Sequence, residues 1–369
     1  MRYPKPVKRG GTIGFVAPSF GCATEPYLSA FQNAQKKWKE MGYELKLGPN
    51  CYTDCGIGIS NTPKACGEEL TSVYCDPNVN GIISCGGGEM MCEILGYVDF
   101  DLLSQSEPKW YMGYSDNTNF TFLNTTLCDT ASIYGPCASS FGMEPWHQVI
   151  TDAFSIFDGT AIEHESVTFE GYDLWEKEGL KDEDHPLAPI NVTEPSLVRA
   201  FIHGGNGYTE LETVDAPKAA PGETDKQTEL SFQGRLLGGC LDCLVNLCGT
   251  KYDRVGQFVG RYSEDGFIWF LEACDLNVMG IRRAMWKLRE AGWFEHCRGF
   301  VIGRPLCFGQ EMMGLDQYHA VLDIVEPFGV PVIMDADLGH LPPSMPIICG
   351  SMGEAAWKDG KWSLRMELK

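Results

Sequence analysis

Lys109-Trp110-Tyr111-Met112-Gly113-Tyr114-Ser115-Asp116-Asn117-Thr118 climbs from an aromatic, apolar run to a Gly-Tyr-Ser-Asp corner. The residues behind it, Asn119 to Leu127, read as a helix. Asp116, Asn117 and Thr118 are good N-cap or first-turn residues. A strand that turns sharply into a helix with Ser at the corner has the build of a nucleophile elbow. Such a turn lifts Oγ clear of the backbone and leaves the next N–H free to stabilise an oxyanion. Gly113-Tyr114-Ser115 fits Gly-x-Ser-x-Gly, with Asn117 in place of the second Gly. Asn tolerates a positive φ better than most residues, so the replacement is compatible with an elbow. The competing reading of Ser115 is an ordinary helix cap.

Upstream, Thr12 to Pro18 reads as a buried strand, and Leu28, Phe31, Ala34, Trp38 and Met41 mark one helical face closed by Gly42. Tyr43–Leu47, Asn80–Ser84, Trp110–Tyr114 and Ala131–Tyr134 are further strands. Strands alternating with helices predict an α/β fold with a parallel sheet and helices on its faces. Ligands in such sheets collect at the carboxyl ends of the strands, where both Ser115 and Gly86-Gly87-Gly88 fall. The triple glycine lacks the spacing of either nucleotide fingerprint. It reads as a backbone N–H donor loop beside Ser115 or as a plain tight turn.

Residues 144 to about 230 change character. The charged run around Tyr172 and Trp175, and the Pro- and Gly-rich 216–228, read as an excursion followed by an interdomain linker. A second α/β unit follows, with strands at 266–271, 299–303 and 331–335 and a terminal hairpin turning at Asp359-Gly360. The expected division is 1–165, 166–230 and 231–369.

The chain carries 29 basic and 50 acidic side chains, a formal charge of −21. That balance argues against nucleic acid and anionic membrane as partners. No apolar run approaches a membrane span and no signal peptide is visible, so a cytoplasmic location is expected. The 16 cysteines fall mostly in apolar segments and read as buried small hydrophobes. Cys240-x-x-Cys243 has the spacing of half a zinc site, with nothing to complete it. It is read as part of an apolar helix, with no metal and no catalytic role.

Glu272 directly follows a fully apolar strand, and a carboxylate there needs a partner. His340, in Asp335-Ala336-Asp337-Leu338-Gly339-His340, also lies just past a strand. Ser115, Glu272 and His340 can form a triad in the order Ser…Glu…His, an order shared with α/β-hydrolases.

Together, Gly11-Thr12-Ile13-Gly14-Phe15-Val16-Ala17-Pro18-Ser19, Gly113-Tyr114-Ser115-Asp116, Gly238-Gly239, Leu271-Glu272 and Gly339-His340 resemble the LD-carboxypeptidase family of serine peptidases. That family includes muropeptide carboxypeptidases and microcin C self-immunity peptidases. The resemblance implies a Rossmann-like N-terminal domain, a mixed α/β C-terminal domain, an active site between them and a homodimer. It makes Ser115 the nucleophile, His340 the base and Glu272 the residue that orients the imidazole, with no cofactor. The N–H groups of Asp116 and of Gly87 or Gly88 would hold the oxyanion. The muropeptide branch carries Arg-Gly-Gly-Tyr-Gly where this chain has Cys85-Gly86-Gly87-Gly88-Glu89. That difference and the aromatic excursion look more like the immunity branch. A small peptidic or aminoacyl-nucleotide substrate is therefore expected, touched by Glu89, Tyr172 and Trp175. Trp175 has two readings: a ring that stacks on substrate, or one that pins the excursion to the body.

Two rivals are an α/β-hydrolase esterase and a two-lobed binding protein without catalysis. A fluorophosphonate probe separates enzyme from binder.

Overall fold

The computed structural model describes residues 1–213 and 228–369. The linker expected over 216–228 therefore lies, but for Thr228, outside the described residues. Five strands open the fold: β1 Thr12–Val16, β2 Glu44–Leu47, β3 Gly81–Ser84, β4 Trp110–Gly113 and β5 Ser132–Tyr134. They pair in parallel in the order β5-β4-β3-β1-β2. Both faces are buried, as parallel sheets require. Phe15, Ile83 and Met112 enter one apolar cluster, while Val16, Ile82 and Tyr111 enter another on the opposite face. This is the two-residue alternation of strand side chains.

The stretch read as an excursion contributes more regular structure than its composition suggests. It forms β6 Ser166–Glu170, β7 Leu174–Trp175, β8 Glu194–Pro195, β9 Arg199–Gly204 and β10 Gly207–Glu210. Then come β11 Glu229–Cys240, β12 Phe267–Glu272, β13 Cys297–Gly303 and β14 Val332–Ala336, which run parallel. The chain ends in β15 Ile347–Cys349 and the hairpin β16 Met352–Lys358 and β17 Lys361–Glu367. Nine of these strands make a mixed sheet, in the order β10-β9-β14-β13-β12-β11-β16-β17-β6. β6 and β9 dock on it as antiparallel partners of β17 and β14. β15 crosses back and pairs antiparallel with β5 of the first sheet. The fold is thus two-domain α/β, with the halves tied by an exchanged strand.

Between the two sheets lies the helix Thr118–Thr126, all nine of whose residues are buried. Several of its polar side chains are satisfied locally, while among the described residues Thr121 Oγ1 and the side-chain oxygens of Asn119 and Asn124 are buried without a partner. Thr125 and Thr126 hydroxyls donate to the carbonyls of Thr121 and Phe122, and Asn124 donates to Ser132. β11 meets this helix at Gly239, where a Cβ would stand 2.7 Å from Thr118 Cγ2. The Cys240 N–H donates to Thr118 Oγ1 at 3.0 Å. Gly238-Gly239 is therefore a packing requirement, and it brings the end of β11 against the elbow. Cys240 ends this strand and stands at the N-cap of the helix Leu241–Leu247, so only Cys243 lies within the helix.

Candidate active site

β4 delivers Tyr114 in extended conformation, and Ser115 then takes φ of +61°. A left-handed backbone costs a non-glycine residue roughly 1–2 kcal/mol. The turn carries Oγ out of the sheet, where it meets His340. Asn117 sits at φ −62°, so the latitude of Asn for positive φ is not used. Its amide works instead as a tie. Nδ2 donates to the carbonyls of Gly86 and Tyr114, and Oδ1 accepts from Tyr111. Gly113 is needed because a Cβ there would stand 2.7 Å from Asn117 Cγ. The elbow and the glycine loop after β3 are in this way one unit.

Glu272 ends β12 and His340 follows β14, so three strand ends converge. His340 Nε2 lies 2.9 Å from Ser115 Oγ, and His340 Nδ1 lies 2.8 Å from Glu272 Oε2. Tyr134, at the end of β5, donates to Glu272 Oε1 at 2.5 Å and accepts from the Ser115 N–H at 3.3 Å. The Tyr114 ring stands against the imidazole, centroids 5.3 Å apart. Burial pushes the Glu272 carboxyl up. The attraction of His340, with hydrogen bonds from His340, Tyr134 and Cys240, outweighs it and leaves the pKa lowered. Burial disfavours the His340 imidazolium, yet Glu272 and the Cys274 thiol raise its pKa well above the ordinary value. The pair is tuned as carboxylate and imidazolium.

Gly87 backs onto Ser115: a Cβ on it would stand 3.2 Å from Oγ. Its carbonyl accepts from the Phe20 N–H. Among the described residues the N–H groups of Gly87 and Gly88 find no acceptor. The Asp116 N–H opens the turn Ser115–Asn117, where backbone donors lack helical partners. The Asp116 carboxylate is buried and structural, accepting from Ser19, from the Met91 N–H and from Asn119. Burial pushes its pKa up.

Ser115 and His340 open into a cleft of about 540 Å³, lined also by Phe20, Tyr27, the glycine loop, Glu89, Tyr114, Lys181 and Cys274. Beside it a cavity of about 170 Å³ shares Tyr114, Ser140 and Lys181 and is walled by Met143, Ile150, Ile190 and Pro342. Glu89 thus stands on the cleft. Tyr172 and Trp175 line neither, which favours the reading of Trp175 as a pin for the excursion. Trp175 is buried, packs edge-on against Phe308 and lies under the Arg304 guanidinium at 4.8 Å. Tyr172 donates to Asp152 at 2.8 Å. Both pin the excursion to the body. Position 85 also faces inward. Cys85 is fully buried among Cys22 and Cys51, and burial, then those thiols, push its pKa well up. Cys243 sits behind the elbow, its sulfur 3.7 Å from the Ser115 carbonyl. Among the described residues, no three His, Cys, Asp or Glu side chains are grouped to hold a metal.

Tyr134, Tyr114, Tyr27 and Lys181 were not singled out from sequence. Tyr134 and Tyr114 carried a signal, their place at the carboxyl ends of parallel strands.

Comparison with known proteins agrees with this fold. Residues 13–135 match the LD-carboxypeptidase N-terminal domain and residues 233–354 the LD-carboxypeptidase C-terminal domain. The chain is 23% identical to the microcin C7 self-immunity protein MccF of Escherichia coli, over 94% of this chain and 90% of that protein. The solved structure of MccF with glutamyl sulfamoyl guanosine superposes with a TM-score of 0.76 at 20% identity, covering 99% of this chain and 98% of that one. The muramoyltetrapeptide carboxypeptidase from Oxalobacter formigenes gives 0.66 at 19% identity, over 96% and 98%. With both of its domain models matched in order across the two sheets that meet at Ser115, the chain belongs to the LD-carboxypeptidase family of peptidases.

Proposed function

We propose that the protein is a serine peptidase or amidase whose triad is Ser115, His340 and Glu272. The observation that carries this reading is the unbroken relay from Ser115 Oγ through both imidazole nitrogens to the buried Glu272 carboxylate. In the reaction His340 Nε2 takes the Ser115 proton as Oγ attacks an amide carbonyl. The oxyanion is held by the Asp116 N–H with that of Gly87 or Gly88, each donor worth roughly 10²–10³ in kcat. His340 returns the proton to the departing amine, and water then repeats the sequence on the acyl-enzyme. Glu272 fixes the tautomer and stabilises the imidazolium, and no metal or cofactor takes part.

The substrate is a small peptide or an aminoacyl-nucleotide-like compound, by analogy with the sulfamoyl nucleotide bound in MccF. A second reading, a muropeptide LD-carboxypeptidase, gains from the burial of Trp175 and of Cys85. With the one ring withdrawn from the cleft and position 85 facing the core, neither difference separates the branches. A fluorophosphonate probe should label wild type and not Ser115→Ala. Steady-state kinetics on aspartyl sulfamoyl adenosine and on a muramoyl tetrapeptide then choose between the branches. An unlabelled wild type that turns over neither compound would sink the peptidase reading. A cytoplasmic homodimer is proposed with it, and light scattering on the purified protein tests the dimer.

A further inference from the structure

Lys181 belongs to the run Lys181-Asp182-Glu183-Asp184-His185, whose other four side chains are exposed while Lys181 is turned inward. It is the one residue of that run that lines the space around Ser115, and it lines both the cleft and the adjoining cavity. Other lysines of this acidic chain find carboxylates: Lys37, Lys46, Lys358 and Lys361 each pair with one. Among the described residues Lys181 makes neither an ion pair nor a hydrogen bond. Its ammonium rests instead over the Tyr27 ring, 5.4 Å from the centroid. Burial lowers its pKa, the usual sign of a cation held short of solvent. A half-buried, unpaired ammonium beside a reactive centre is an anion site waiting for its ligand.

The segment that carries it is anchored rather than adrift. The Glu176 N–H donates to the Pro342 carbonyl at 2.6 Å, two residues past His340. The Tyr172 N–H donates to Asp337 Oδ2 at 2.9 Å. The Leu187 carbonyl accepts from the Glu144 N–H at 2.8 Å. Lys181 is therefore set between three fixed points against the wall of the cleft.

We propose that Lys181 is the specificity-determining residue of this site. It binds the anionic group of the substrate, a C-terminal carboxylate or an acyl-sulfamate, and so selects amides that bear a negative charge beside the scissile bond. The inference rests on the peptidase reading of the cleft, but its test does not need turnover.

Binding is measured by calorimetry in a Ser115→Ala background, with three probes: the tetrapeptide L-alanyl-γ-D-glutamyl-L-lysyl-D-alanine, the same peptide as its C-terminal carboxamide, and aspartyl sulfamoyl adenosine. Adding Lys181→Met should weaken an anionic probe about tenfold or more, the usual scale of a charge-assisted bond. The carboxamide should be unaffected, and Lys181→Arg should restore most of the loss. Weakening of the tetrapeptide alone identifies a carboxylate, and weakening of the nucleotide alone identifies the sulfamate. Equal weakening of acid and carboxamide overturns the assignment, as does no weakening of either anion or no binding at all. In the Ser115-containing enzyme the same change should raise KM and leave kcat near its original value. If binding discriminates as expected but Ser115 is neither labelled nor productive, the Lys181 site stands and the peptidase reading falls.

Discussion

At the scale of single residues, the site turns on two opposed shifts within one buried pair. Glu272 is held below its ordinary pKa, and His340 well above its own of 6.5. A raised histidine contributes stability that is full below its unfolded pKa and lost as pH rises through the folded value. A depressed carboxylate contributes stability present above its unfolded pKa and lost as pH falls through the folded value. Both describe the same interaction, counted once, so the pair stabilises fully between the two unfolded pKa values and loses that stability as pH passes outward through either folded value. Catalysis needs the other form, because only neutral His340 can take the Ser115 proton. The kcat/KM profile should therefore rise with pH and inflect above the ordinary histidine value, where the pair's stabilisation is fading. In Glu272→Gln the attraction is gone and burial remains, so the inflection should fall and kcat should drop by about 10⁴. A wild-type inflection at or below the ordinary value would contradict this account.

At the scale of elements, most of the N-terminal sheet was legible, because its strands are short apolar runs between clear helix faces. The elbow was legible because Gly113-Tyr114-Ser115 is a local pattern. The excursion was not. In β6 only Val167 and Phe169 turn inward, and five residues of edge strand beside a charged run carry little periodicity. Trp175 stayed ambiguous for a related reason: its neighbours are polar, but its partners Arg304 and Phe308 lie far along the chain. Arg304 and Asp337 form a buried pair at 3.1 Å that also takes Ser196 and the Tyr172 N–H. This node ties the excursion to the loop that carries His340. Trp175→Ala should cost about 3–5 kcal/mol of stability by leaving a cavity, and Arg304→Met a similar amount by stranding Asp337. Denaturant melts should show both losses. A Trp175→Ala enzyme of wild-type stability with a selectively raised KM for the nucleotide would restore the stacking role.

At the scale of the molecule, two domains would ordinarily be expected to unfold apart. Several features oppose that here. β15 leaves the second half to complete the first sheet, and one apolar cluster runs through both halves. Phe122, on the buried helix between the sheets, stacks on Trp293 with centroids 5.2 Å apart. Neither sheet can lose its partner without exposing that helix, all nine of whose residues are buried. Thermal unfolding should therefore be one transition, with calorimetric and van't Hoff enthalpies in agreement. Its fluorescence would be reported alike by Trp38 and Trp110 in the first half and Trp269 and Trp293 in the second. The weak point is Gly239, at φ +140° with Thr118 directly against it. Gly239→Val forces a side chain into that contact and should cost roughly 1–3 kcal/mol from overpacking, with backbone strain added. Because the damage falls at the seam between the sheets, the variant should split the melt into two steps and lose activity before either half unfolds. If Gly239→Val merely shifts a single transition, the halves are coupled through β15 and the shared core rather than through the seam at Thr118.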